Sequence, residues 1–143
     1  MRKLIVEKST TIKASPEKVW NIITSPETFK HWMLAVPADS SDSPLQLGSK
    51  ILWNDESGQT YLTGTVVTLE PLQRLVLALE DISWTRKAET GEVTSSFTLS
   101  DAENGTDLEF MLGDLSVDPE GQQWFDAYSA SGELDTIRDM AEG

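Results

Sequence analysis

The chain has no cysteine, a single histidine and few cations, and each shortage removes a class of chemistry. Without thiols there are no disulfides, no thiolate metal sites and no cysteine nucleophile, and the redox compartment is left open. His31, with no tight carboxylate motif around it, gives neither zinc nor calcium spacing, so no metal and no cofactor is expected. Its nearest helical partner is Glu27, and a solvated histidine at a helix end accounts for it better than acid–base catalysis. The 11 Lys and Arg residues are outnumbered by 24 Asp and Glu, a formal charge of -13 that repels phosphate backbones, so nucleic acid is not an expected partner. Long apolar runs are missing too. The stretch Leu4-Ile5-Val6 gives way at once to Glu7-Lys8, too short for a signal peptide or a membrane span, and a cytoplasmic protein is expected. No phosphate-binding loop and no nucleophile elbow surrounds any serine, so no catalytic residue is assigned.

What is present is patterned. A length of 143 residues is that of one domain, and the reading is of a single domain over 1–143. From Asp118-Pro119-Glu120 to Met140, the positions Trp124, Tyr128, Ser131, Leu134, Ile137 and Ala141 recur at spacings of three and four. They predict one long helix with Asp118 as cap and Pro119 in its first turn. Ser129, Ser131 and Gly132 interrupt its apolar stripe, so the helix is expected to leave room beside its small residues. The carboxylates of the C-terminal third, among them Asp114, Asp118, Asp126, Glu133, Asp135 and Asp139, read as a solvated face.

Upstream, Leu4, Val6, Thr10 and Ile12 alternate as in a half-buried first strand. Ser15-Pro16-Glu17 then opens a helix whose buried stripe is Val19, Ile22 and Ile23, and Ser25-Pro26-Glu27 opens a second, short one through Phe29, His31 and Trp32. Residues 35–48, rich in Ser, Asp and Pro, predict a surface loop with the character of a lid. Five strand-like runs follow: Ser49–Trp53, Gln59–Leu69, Arg74–Glu80, Glu92–Leu99 and Thr106–Leu112. Turn-forming stretches separate them, Lys87 to Gly91 among them, which makes neighbours antiparallel. Gly64 predicts a bend or bulge that curls the sheet.

The order of elements resembles the START-like, or helix-grip, superfamily, and within it the homologues of the activator of heat-shock-protein-90 ATPase. The likeness rests on Ala14-Ser15-Pro16-Glu17-Lys18-Val19-Trp20, Ser25-Pro26-Glu27 with Trp32, Leu47-Gly48, Gly64-Thr65-Val66, Glu70 through Val76, Gly105-Thr106-Asp107-Leu108, and Gly121 with Trp124. It implies an α+β fold: a curved antiparallel β-sheet in β-α-α-β-β-β-β-β-α order wrapped around a long C-terminal helix, with a cavity for an apolar or amphipathic small molecule between them. Leu47 and Leu112 depart from the family, which often has glycine and histidine there.

Any single aromatic is accounted for better by core packing than by ligand contact. As a set, Trp32, Trp53, Tyr61, Trp84, Phe97, Phe110, Trp124 and Tyr128, with Ser131, are the candidate ligand-binding residues, since large rings with one polar atom each suit an apolar pocket. The expected partner is therefore a small apolar ligand, without catalysis. Two other classes stay open. One is a protein-interaction module that modulates a chaperone through its acidic surface. The other is a polyketide-cyclase-like enzyme in which Tyr61, Tyr128 or His31 polarises a reactive chain.

Overall fold

The computed structural model describes residues 3–38, 44–84 and 92–143. Strand β1 (Val6–Ile12) alternates as expected, with Val6 and Ile12 buried, and the same alternation turns Lys8 inward. Helix α1 (Pro16–Thr24) starts where Ser15 accepts a hydrogen bond from the Lys18 N–H at 3.3 Å, and it buries Val19, Trp20, Ile22 and Ile23. One 3-10 turn at Pro26–Thr28 leads into the short α2 (Phe29–Trp32). The Thr28 hydroxyl oxygen ties this junction together: it donates to the Ile22 carbonyl at 2.6 Å and accepts from the Trp32 indole N–H at 3.1 Å.

Strands β2 (Lys50–Asn54), β3 (Thr60–Glu70), β4 (Arg74–Asp81), β5 (Thr94–Ala102) and β6 (Gly105–Gly113) form an antiparallel meander. β1 pairs with β6, giving the order β1-β6-β5-β4-β3-β2. The register runs unbroken through Gly64, which faces Ile51 and Leu79, and slips instead between Val66 and Thr68. Gly64 serves a different need from the expected bend. A side chain there would begin 3.2 Å from the Trp53 ring and 3.3 Å from a Leu79 methyl, so its absence lets the indole lie against the sheet. The separator 87–91 lies outside the described residues, as does 39–43 of the 35–48 loop. The rest of that loop is not all surface: Leu45 is buried, and its N–H donates to the Thr24 carbonyl at 2.8 Å.

The C-terminal segment departs most from expectation, because it forms two helices, α3 (Gly121–Ala130) and α4 (Glu133–Glu142). Ser131 is extended between them, and Gly132 precedes α4. Asp118 and Pro119 fall before the helix. The Asp118 carboxylate accepts from the Glu120 N–H at 2.7 Å, closing a local turn, and a 3-10 turn at Leu115–Val117 comes first. α4 buries Leu134, Ile137 and Ala141 against β1 and α1, whereas α3 buries fully only Gly121 and leaves Trp124, Phe125 and Tyr128 half-buried. The core lies between the inward sheet face, including Leu75, Leu99 and Leu108, and the stripe of α1 and α4. This is the α+β helix-grip arrangement, with its gripped helix in two pieces.

The two glycines of this segment are not equivalent. A Cβ on Gly121 would stand 2.0 Å from the Leu115 carbonyl oxygen, while one on Gly132, at φ -100°, would meet nothing within 4 Å. Gly121→Ala should therefore cost about 1–3 kcal/mol, and Gly132→Ala less than about 0.5 kcal/mol, in urea unfolding. Equal losses would show that the approach of Leu115 to the start of α3 is not a tight contact.

Candidate functional site

An unbroken chain of aromatic rings crosses the interior from α2 to α3. Phe29 meets Trp32 edge-on at 5.7 Å between centroids, Trp32 meets Phe97 at 5.6 Å, and Phe97 meets Phe110 across β5 and β6 at 5.1 Å. Phe110 then meets Tyr128 at 6.5 Å, and Tyr128 meets Trp124 at 6.1 Å. Such pairs are worth about 0.5–1.5 kcal/mol each beyond the area they bury. Three indoles are also fixed by their N–H groups: Trp32 to Thr28, Trp53 to the Ala35 carbonyl at 2.9 Å, and Trp84 to the Asp118 carboxylate at 2.8 Å. Polar edges held this way leave the ring faces as apolar wall.

Two adjoining chambers of about 50 Å³ each lie between this wall and the helices. Trp32, Trp53, Phe97, Phe110 and Tyr128 line the first; Tyr61, Trp84, Trp124 and again Tyr128 line the second. Ala35, Leu62, Leu79 and Leu112 belong to both, so the chambers share one partition. Of the candidate ligand-binding residues singled out from the sequence, only Ser131 lines neither. It lies at the helix break, where its carbonyl accepts a hydrogen bond from the Lys8 ammonium. His31 is exposed and also lines neither chamber.

The polar groups of this region were mostly not foreseen. Lys8 reaches inward from β1 and donates to the Tyr128 carbonyl at 3.3 Å as well as to Ser131, which places a cation at the negative end of α3. Glu133, the first residue of α4, is only 7% exposed, so it does not belong to the solvated face on which its neighbours Asp135 and Asp139 lie. Its Oε2 accepts from the Leu34 N–H at 2.7 Å, tying the start of α4 to the segment after α2. Burial raises its carboxyl from 4.5 to about 7, against the opposing pull of that hydrogen bond and of Lys8. Burial also pushes the Tyr128 phenol well above its usual range, with the charges of Glu133 and Tyr61 adding to it, and Tyr61 is raised by burial and by Asp81. A signal for Lys8 was present, because it holds the inward parity of β1. Glu133 carried none, since one continuous helix gave no reason to separate it from the carboxylates around it.

An antiparallel sheet closed by helices around an apolar hollow defines a helix-grip domain. A sequence profile described as "Activator of Hsp90 ATPase homolog 1-like protein" matches residues 13–131, and the chain belongs to that family. A search of curated proteins returns no significant match. Among solved structures, the Aha1 dimer from Colwellia psychrerythraea is similar at 21% identity and TM-score 0.67, with 96% of each chain covered. Protein MLL2253 from Mesorhizobium loti is similar at 18% identity and TM-score 0.68, covering 96% of this chain and 93% of that one. DynU16, a putative protein in the dynemicin biosynthetic locus, is similar at 16% identity and TM-score 0.66, covering 96% of this chain but 47% of its own. At these identities the likenesses speak for the fold. No helix among the described residues is long and apolar enough to cross a membrane.

The buried carboxyl has a thermodynamic signature. Between pH 4.5 and about 7 the folded chain keeps on Glu133 a proton that the unfolded chain has released, so stability falls as pH rises through that window. The loss amounts to roughly 3 kcal/mol. Glu133→Gln keeps an acceptor for Leu34 and removes the titration. Chemical unfolding at pH 5 and pH 8 should find the variant gaining on the wild-type chain by about that amount at the higher pH. A difference independent of pH would mean that Glu133 titrates as a solvated carboxylate.

Proposed function

We propose that the domain binds a small apolar molecule with a flat body, held between the aromatic wall of the sheet and the underside of α3. The observation that carries this reading is the pair of adjoining chambers lined by fixed ring faces, with Tyr128 shared between them. Among the described residues neither the Tyr61 nor the Tyr128 hydroxyl hydrogen-bonds to a protein atom, which leaves two polar tips to orient a guest. At about 50 Å³ each the chambers hold waters and not a ligand, whose site ordinarily needs about 300–1,000 Å³. Entry therefore goes with a displacement of the wall, and α3 is the part least held, with a single fully buried residue and an extended Ser131 at its end. α4, with its buried stripe in the core, stays as the fixed half. The resemblance to a protein of a biosynthetic locus and the family's link to a chaperone ATPase leave an enzyme and a surface-docking module as competing classes.

Tryptophan-fluorescence titration and native mass spectrometry with naphthalene-sized alcohols test the reading. One-to-one saturable uptake is expected, with slower amide exchange in α3 once the guest is bound. Ala35→Leu, which fills the partition between the chambers, should weaken uptake at least tenfold without lowering the melting temperature. No uptake, or equal uptake by the filled variant, sinks the proposal. Salt-sensitive capture of a chaperone in the absence of any uptake would favour the acidic surface instead.

A further inference from the structure

We infer that the interior site selects a cationic guest, a protonated amine on a flat apolar body, and turns away carboxylates. The inference rests on the binding role proposed above and specifies the class of ligand. Its ground is the sign of the groups around the hollow. Glu133 lines the first chamber, and Asp81 and Asp118 line the second; among the described residues no Lys, Arg or His lines either. Lys8, the cation acting on Glu133, has its ammonium on the carbonyls of Tyr128 and Ser131 and does not line the chambers.

The carboxylates differ in how far they are already used. Asp118 takes the Trp84 indole and the Glu120 N–H, and Asp81 takes both the N–H and the hydroxyl of Ser83. Glu133 is different. It is more than nine-tenths buried, and only its Oε2 is engaged, by Leu34, so the other oxygen has no protein donor among the described residues. A carboxylate oxygen that is still accessible and has no protein donor, on a residue lining a hollow walled by aromatic rings, matches an ammonium group twice. The oxygen accepts a charge-assisted hydrogen bond, and the ring faces attract the cation through their quadrupoles. A carboxylate guest would meet a carboxyl group in either chamber and no cation lining either among the described residues, at a high desolvation cost. The formal charge of -13 works in the same direction at longer range, raising the local concentration of cations and depleting anions.

Protonation adds a further signature. The groups facing Glu133 are Lys8 from β1, Tyr128 from α3 and the Leu34 N–H from the segment after α2. An ammonium pairs with the carboxylate form, so binding of an amine that stays protonated should strengthen as pH rises through the region near 7 where Glu133 gives up its proton.

Isothermal titration with three matched probes, 2-naphthylmethylamine, 2-naphthalenemethanol and 2-naphthoate, separates the possibilities. The amine should bind at least tenfold more tightly than the acid, with the alcohol between them. Amine affinity should rise about tenfold from pH 6 to pH 8 while that of the alcohol stays level. In Glu133→Gln the amine should lose both its advantage over the alcohol and its pH dependence. Binding of all three probes with no preference for the amine overturns the charge selection and leaves the cavity reading standing. Binding of none overturns both. The comparison among probes on the unaltered chain is decisive even if the variant folds poorly.

Discussion

The ammonium of Lys8 is the constraint on which the C-terminal half of the molecule depends. An α-helix that stops inside a protein leaves carbonyls without partners, and stopping α3 at Ala130 would be costly if they faced apolar rings. The Ser131 N–H and hydroxyl both donate to the Tyr128 carbonyl, and Lys8, from the inward face of β1, adds a charged donor to Tyr128 and one to Ser131. The same ammonium offsets part of the charge of Glu133, which opens α4 two residues later.

Because the segment is broken there, its two halves take different loads. α4 follows the direction that puts Leu134, Ile137 and Ala141 into the core with Val19 and Ile23 of α1, and its packing is that of an ordinary amphipathic helix. α3 takes a second direction, set by the tight turn at Gly121 and by the Asp118 carboxylate, and it lies over the sheet on half-buried aromatics. The rings of Phe97 and Phe110 form a floor that meets Tyr128 through Phe110, and Tyr128 in turn meets Trp124. The residual space on either side of Tyr128 is the pair of chambers. They follow from rigid planes meeting a helix of fixed direction, since flexible aliphatic chains in the same places would have closed the gap.

Much of the fold was legible because local chemistry and global arrangement agree. Ser15-Pro16 marks the start of α1 through the same cap that the structure contains, and the alternations of Phe97 with Leu99 and of Leu108, Phe110 and Leu112 set which sheet face is buried. The C-terminal segment was misread because periodicity passes smoothly through Ser131 and Gly132, while the cation that terminates α3 comes from a residue more than 120 positions earlier. A contact of that sequence separation leaves no local trace. The aromatic site residues were legible as a set, since large rings on several strands and helices must converge when a sheet is closed by helices. The ionisable ones were not, for burial of Glu133 depends on where α4 begins.

That dependence links architecture to chemistry. In a continuous helix a carboxylate at position 133 would leave one turn of α3 and enter the next, with its backbone N–H and C=O both used and no reason to be buried. At the first position of a new helix it stands instead at the positive end of the α4 dipole, beside N–H groups that have no partner within the helix, and it can turn inward to the Leu34 N–H. The interruption thus creates, at one point, the cation that ends α3, the carboxylate that begins α4 and the corner of the hollow between them. A continuous rod could grip the sheet as firmly, but it would leave the first chamber without a carboxyl group, since Asp81 and Asp118 line only the second. The break is what gives the first chamber its carboxyl group.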